Sequence, residues 1–90
     1  MATVRFFATI REITGQKETV VMANTLQDLL EKLASKQGVR FHQAVYGPEG
    51  LSPEVIIMIN GRHIEHLPAG LSTELTPTDI VAIFPLVGGG

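Results

Sequence analysis

The segment TLQDLLEKLA, residues 25–34, decides the fold, because it predicts one amphipathic helix in a chain that otherwise favours β-strands. Thr25 can cap the free N–H groups at the start of this helix, and Asp28 adds negative charge to its first turn. Gly38 is expected to end it. Apolar side chains recur at helical spacing at Leu26, Leu29, Leu30, Leu33 and Ala34. Such a stripe predicts a helix that covers one face of a sheet.

The chain before and after this helix has a different pattern. Residues 4–10 alternate in polarity and predict a half-buried strand, with Val4, Phe6, Ala8 and Ile10 on one face. Residues 18–22 predict a second strand, joined to the first as a hairpin through the turn at residues 14–17. Residues 39–53 predict an irregular connection with a short helical turn at Phe41–Tyr46.

The C-terminal half predicts further strands. Residues 54–60 (EVIIMIN) are rich in β-branched side chains, which indicates burial on both faces or close to it. Asn60-Gly61 is a strong signal for a two-residue hairpin, and residues 62–66 are expected to return as a short strand. Residues 79–84 (DIVAIF) predict the last strand, which Pro85 is expected to end.

The element order is strand, strand, helix, strand, short strand, strand. A right-handed crossover would bring the first and last strands together at the centre of a mixed sheet. This order predicts an α+β fold, the ubiquitin-like β-grasp, with four or five strands and one main helix on one face. Residues 1–87 would form the domain, and residues 88–90 a flexible glycine tail.

Composition excludes several classes of function. The chain has 90 residues, 7 basic and 9 acidic side chains and no basic cluster, which argues against a nucleic-acid partner. No apolar run has the length of a membrane span, and the N-terminus runs straight into a strand pattern without a signal-peptide layout, so a cytoplasmic location is expected. The chain has no cysteine, which excludes thiolate metal sites and thiol nucleophiles.

The side chains offer little evidence for an internal active site. His63 and His66 are three residues apart after a strand, where such residues face opposite sides, so we expect no metal site there. His42 lies alone in the irregular connection. Arg11 and Glu12 are interpreted as a solvated pair, with a contact from Arg11 to a partner's carboxylate as the alternative.

The ending FPLVGGG, residues 84–90, is the remaining candidate for a reactive site. Glycines have no side chain, so an extended tail could enter a narrow channel in another protein and present an unhindered carboxylate there. That carboxylate is ionised at neutral pH and could attack the α-phosphorus of ATP held by a partner, giving an acyl adenylate. A sulfur donor could then displace AMP and leave a thiocarboxylate. The competing interpretation is a frayed tail with no function.

Four segments resemble the small, sulfur-carrying subunit family of molybdopterin synthase and the related thiamine-pathway carriers. They are FFATIRE (6–12), TLQDLLEKL (25–33), IIMINGR (56–62) and DIVAIFPLVGGG (79–90). The resemblance implies a β-grasp fold and no cofactor bound by the chain itself. It also implies an E1-like activating enzyme that uses ATP, a sulfur donor protein and a synthase large subunit as partners.

The same resemblance implies roles for the end of the chain. Gly90 would bear the acyl adenylate and then the thiocarboxylate, and Gly88 and Gly89 would give it a slim approach. Partner binding would involve the residues that lead into the tail, which are Phe84, Pro85, Leu86 and Val87. An exposed sheet face would provide the docking surface, with Phe7 and Phe84 either on it or in the core.

Three alternatives stay open at this stage. Leu86 stands where the synthase subunits commonly have a second proline, and the connection at residues 39–53 is as long as in cysteine-pathway carriers and archaeal modifiers. The chain could therefore serve another sulfur pathway, or modify proteins through an isopeptide bond from Gly90. It could also be a β-grasp binding module without chemistry of its own.

Overall fold

The computed structural model describes residues 2–86. The strands are β1 (Ala2–Phe6), β2 (Glu18–Val21), β3 (Tyr46–Gly47), β4 (Gly50–Leu51), β5 (Val55–Ile59), β6 (Arg62–His63) and β7 (Ile80–Pro85). The helices are α1 (Ala8–Thr14), α2 (Leu26–Gln37) and α3 (Val39–Val45), with short 3₁₀ helices at Ile64–His66 and Gly70–Ser72. One mixed sheet has the order β2-β1-β7-β5-β6, and β3 and β4 form a separate hairpin.

The first and last strands lie side by side at the centre of the sheet, as predicted. β1 and β7 are parallel, with Val4 opposite Val81 and Phe6 opposite Ile83. The other neighbours of these two strands, β2 and β5, pair with them in antiparallel fashion. The α+β, β-grasp architecture expected from the element order is therefore confirmed.

Helix α2 begins and ends where its sequence predicts. The Thr25 hydroxyl accepts a hydrogen bond from the Asp28 backbone N–H at 3.1 Å, and the Asp28 carboxylate accepts one from the Asn24 backbone N–H at 3.3 Å. Gly38 follows the last turn with a φ of 96°. The buried stripe consists of Leu26, Leu29, Leu30 and Leu33. It packs on the face of the sheet that carries Val4, Phe6, Ile57, Val81 and Ile83.

The predicted strand at residues 4–10 is wrong beyond Phe6. The chain turns at Ala8, which has a φ of 51°, and continues as α1 to Thr14. Alternation and helical spacing both bring Ile10 to the core, so the local pattern could not separate them. β1 and β2 pair antiparallel as expected, but a helix connects them instead of a tight hairpin turn.

The predicted irregular connection at residues 39–53 is also wrong in its first half. Residues 39–45 form α3, which buries Phe41 and Val45 completely. Phe41 meets Phe6 edge to face, with ring centroids 6.2 Å apart. The spacing of four residues between Phe41 and Val45 carries a helical signal, but three glycines and two prolines nearby obscure it.

The hairpin after β5 is confirmed. Asn60 and Gly61 have φ values of 53° and 83°, the positive pair that a two-residue turn of this kind requires. The return strand is shorter than predicted, since only Arg62–His63 pairs with β5 before a 3₁₀ helix begins. β5 is fully buried on one face, and Ile56 and Met58 on its other face are partly buried. This agrees with the prediction of burial on both faces or close to it.

Candidate functional site

The candidate site lies where β7 leaves the sheet. β7 runs between β1 and β5, so two rows of backbone hydrogen bonds determine where it ends. Pro85 is the last residue of the strand rather than the first residue beyond it. The Leu86 backbone N–H then donates to the Glu54 carbonyl at 2.7 Å. The chain therefore reaches the tail from a strand that is paired on both sides.

A polar network holds the opposite end of β7. The Asn60 side chain donates to Asp79 Oδ1 at 2.9 Å and accepts from the Ile80 backbone N–H at 2.9 Å. Asp79 Oδ2 accepts from the Thr76 backbone N–H at 2.8 Å. The hydrogen bond from Thr76, followed by that from Asn60, lowers the pKa of the Asp79 carboxyl. The network links the β5 hairpin to the start of β7 and so contributes to the strand's register.

An apolar depression of about 330 Å³ opens beside the end of β7. Its lining residues, which we call the exit patch, are Phe7, Ala8, Ala82, Phe84 and Pro85. The Phe7 and Phe84 rings meet edge to face, with centroids 5.8 Å apart and an interplanar angle of 83°. The Phe7 backbone N–H donates to the Ile83 carbonyl at 3.1 Å, which keeps the start of α1 against β7.

The open face of the sheet extends the exit patch. Residues that alternate with the buried positions of β5 and β7 point to this face and are only partly buried: Ile56, Met58, Ile80, Ala82 and Phe84. Arg5 lies across from Ala82 and forms an exposed ion pair with Glu18, with the nitrogen and oxygen 3.5 Å apart. The result is a continuous apolar surface with charge along the β2 side, of the kind that marks an interaction site.

The structure separates the predicted leading residues into two groups. Phe84 and Pro85 lie in the exit patch, whereas Leu86 lines a neighbouring depression of about 380 Å³ together with Ile56 and His63. Leu86 is itself 53% exposed. Val87, Gly88, Gly89 and Gly90 lie outside the described residues, so their predicted roles stay predictions.

Phe7, which the sequence left between core and surface, belongs to the surface. Its side chain is 38% exposed, whereas its neighbour Phe6 is 1% exposed. Ala8 and Ala82 were not expected at the site. The sequence could have predicted Ala82 at the site, because residues two apart in a strand lie on the same face and Ala82 is two residues before Phe84. Ala8 was predicted on the core face of the first strand, but that strand ends at Phe6.

His63 and His66 do not face opposite sides as expected, because a 3₁₀ helix at Ile64–His66 replaces the extended chain. His63 and His66 have ring centroids 6.2 Å apart, and His63 Nδ1 accepts a hydrogen bond from the Glu65 backbone N–H. Among residues 2–86, no group of three or more His, Cys, Asp or Glu side chains is arranged to hold a metal ion. Within the same residues, no helix has the length and apolar character needed to cross a bilayer.

Arg11 lies in α1 rather than at a hairpin mouth. Its Nε donates to the Phe6 carbonyl at 3.4 Å, so part of its hydrogen-bonding capacity serves the strand-to-helix turn. The ion pairs present in the described part of the chain are Arg5–Glu18 and Lys32–Asp28. The predicted pair between Arg11 and Glu12 is not among them.

Comparison with known proteins places this geometry in a family. The ThiS family profile matches residues 4–90. Small archaeal modifier protein 3 of Haloferax volcanii is 36% identical over 90 residues, covering 97% of this chain and 96% of the relative. The solution structure of small archaeal modifier protein 1 from Methanosarcina acetivorans is 30% identical, with a TM-score of 0.86 and coverage of 99% and 95% of the two chains.

A third relative bears a different name. A Pyrococcus furiosus protein, provisionally named molybdopterin converting factor subunit 1, is 27% identical with a TM-score of 0.73, and the match covers 96% of this chain and 97% of the relative. The family match spans nearly the whole chain, and the strand order agrees with the β-grasp expected from the sequence. The chain belongs to the ThiS family, among the ubiquitin-like sulfur carriers and modifiers.

Proposed function

We propose that this chain carries sulfur as a thiocarboxylate on Gly90 and acts as the small subunit of a molybdopterin synthase. The observation that carries this proposal is the ThiS family match, which extends through the terminal glycines to residue 90. The resemblance of the segments at 6–12 and 79–90 to the synthase small subunits supports the choice of pathway. So does the name of the Pyrococcus furiosus relative.

The chemistry would take place at the chain's terminal carboxylate inside a partner's site. A carboxylate oxygen attacks the α-phosphorus of ATP, the bond to the β-phosphate oxygen breaks, and pyrophosphate leaves. A sulfur nucleophile at the hydrosulfide oxidation level, delivered by a donor protein, then attacks the carbonyl carbon. The bond between the carbonyl carbon and the AMP oxygen breaks, AMP leaves, and the product is the thiocarboxylate. The large subunit would receive this sulfur for the dithiolene of the cofactor.

The described residues would position the tail for both partners. The exit patch lies at the end of β7, one residue before Leu86, so a partner that covers it also receives the chain leaving the sheet. Burying the exposed Phe7 ring and the partly buried Phe84 ring would contribute roughly 25 cal/mol for each Å² removed from water. Two hydrogen-bonded neighbours limit the movement of β7, which reduces the entropy lost on docking.

The test uses the full chain, its cognate activating enzyme, ATP with magnesium, and a sulfide source. Intact-protein mass spectrometry should show one oxygen-for-sulfur exchange, located on the last residue. A variant without Gly89 and Gly90 is the matched control and should show none. If the full chain gains no mass, or gains it elsewhere, the carrier function is wrong. If the truncated variant still performs the chain's function in the cell, the chain is better described as a binding module whose tail has no chemical role.

A second experiment addresses the pathway. The thiocarboxylated chain is mixed with the synthase large subunit and the pterin precursor, and dithiolene formation is followed. We expect sulfur transfer that depends on Gly90. A chain that is activated normally but neither binds the large subunit nor transfers sulfur would exclude the synthase and leave another sulfur pathway.

A protein modifier is the second candidate, favoured by the names of the two archaeal relatives. Activation of Gly90 would be the same, but a target lysine amine would displace the leaving group and form an isopeptide bond. Immunoblots of native cells under reducing conditions distinguish the two fates. A ladder of conjugates that resists the reducing agent supports modification, and free chain alone supports sulfur transfer.

A further inference from the structure

A groove on the helical side of the molecule has no role in the tail chemistry. It lies between α2 and α3, has a volume of about 550 Å³, and is lined by residues that include Glu31, Ser35, Val39, His42 and Tyr46. None of its lining residues belongs to the exit patch. Its volume falls within the range of roughly 300–1,000 Å³ that is usual for ligand pockets.

Two aromatic rings stack on each other in this groove. His42 and Tyr46 are four residues apart at the end of α3, and their rings stack with centroids 4.8 Å apart and an interplanar angle of 29°. Val39, one turn earlier, is 70% exposed. The groove therefore combines a stacked pair of rings with an apolar rim that the described residues leave uncovered.

The groove also carries negative charge. Glu31 is exposed, and one of its oxygens accepts a hydrogen bond from Gln27 Nε2 at 3.3 Å. Within residues 2–86 it forms no ion pair. Burial raises the pKa of the Tyr46 hydroxyl, and the Glu31 carboxylate raises it further, so the hydroxyl remains a donor at neutral pH. That hydroxyl is buried and has no hydrogen-bond partner among the described residues.

We infer that this groove binds an arginine side chain presented by a partner protein. A guanidinium is planar, so it can stack on the outer face of the exposed His42 ring, which Tyr46 supports from behind. Its forked N–H groups match the two oxygens of a carboxylate such as Glu31. The aliphatic part of the side chain would lie on Val39, as long cationic side chains do on apolar surfaces.

A lysine would fit less well, because its compact ammonium neither stacks on a ring nor forks to a carboxylate. The inference stands on residues of α2 and α3 and does not depend on the chemistry proposed for the tail.

The experiment titrates the full chain, labelled with ¹⁵N, with N-acetyl-arginine amide at neutral pH. The uncharged analogue N-acetyl-citrulline amide and N-acetyl-lysine amide are the comparison probes. We expect saturable shift changes confined to residues 31–46, with the arginine probe bound at least fivefold more tightly than either of the others. Glu31→Gln, which removes the charge but keeps the shape, should weaken binding roughly tenfold.

Two further variants separate binding from folding. Glu65→Gln removes an exposed carboxylate from the 3₁₀ helix after β6, away from the groove, and should leave the affinity unchanged. His42→Ala should weaken binding by losing one ring while the amide shifts of the sheet stay in place. Equal affinity for citrulline or lysine would overturn the inference. So would shift changes spread over the surface, or a Glu31→Gln variant that binds as well as the parent.

Discussion

The rings of Phe7 and Phe84 meet edge to face at the point where the chain leaves the sheet, 5.8 Å apart between centroids. Phe7 comes from the turn into α1 and Phe84 from β7, and a backbone hydrogen bond from Phe7 to Ile83 holds the two elements together. The pair is therefore pre-arranged on the surface of the free protein. A partner that covers it has little side-chain entropy left to remove.

The first prediction concerns Phe84→Ala. Losing a partly exposed aromatic pair should lower the free energy of unfolding by about 1–2 kcal/mol, below the roughly 3–5 kcal/mol expected for a fully buried phenylalanine. The affinity for the activating enzyme should fall at least tenfold, because the exit patch loses its central ring. Urea denaturation and titration with the activating enzyme measure the two effects.

Val20→Ala is the matched control for Phe84→Ala. Val20 lies on the edge strand β2 and is 53% exposed, so its loss should change neither stability nor affinity appreciably. Affinity that is unaffected by Phe84→Ala, in a variant that still folds, would show that the exit patch is not the docking surface.

The second prediction concerns Asp79→Asn and pH. The folded-state pKa of Asp79 lies below its unfolded value, so the carboxylate contributes stability above the unfolded pKa and loses it as pH falls through the folded pKa. Asp79→Asn should lower the free energy of unfolding by about 1 kcal/mol near pH 7, a figure kept small because the group is partly exposed. The difference from the parent should shrink below about pH 4.

Urea unfolding of both proteins across this pH range measures the effect. Glu49→Gln serves as the control, since it removes an exposed carboxylate in the turn between β3 and β4. Its difference from the parent should stay near zero at each pH. A constant deficit for Asp79→Asn down to about pH 2 would mean that the hydrogen bonds, rather than the ionised form, carry the contribution.

The third prediction concerns the cap of α2. Thr25→Ala removes the hydroxyl that accepts from the Asp28 N–H and should cost about 1 kcal/mol of stability. Thr25→Ser keeps an acceptor at the same position and should cost clearly less. Thermal and urea denaturation of the three proteins test this. Equal losses for Ala and Ser would indicate that the methyl group, not the cap, matters here.

The features that the sequence predicted correctly are those encoded within a few neighbouring residues. The α2 stripe, its Thr25 cap and the Asn60-Gly61 turn are local patterns, and the structure contains all of them. The pairing of the first and last strands also followed, because element order and the handedness of crossovers leave few alternatives. The prediction that the tail carries the reactive group came from its composition and the family resemblance, and it stays a prediction because residues 87–90 lie outside the described residues.

The two helices that the sequence analysis missed, α1 and α3, were missed for one reason. Residues 4–10 and 39–45 each contain apolar spacings that fit more than one element, so the period alone could not identify α1 or α3. Residues 39–45 form a helix in the structure, and this places Phe41 against Phe6 in the core. The exit patch was only half predicted for the same reason, since Ala8 reaches it through a turn at positive φ that no local signal announced.

By itself the sequence therefore determined the main helix, the sharp hairpin and the central place of β7, because short-range spacing and chain connectivity specify them. Only the tertiary structure decided that Phe6 is buried while Phe7 is on the surface, and that Phe7 pairs there with Phe84. Burial depends on which element packs against a residue. Residues distant in sequence supply that element, and the local pattern does not contain them.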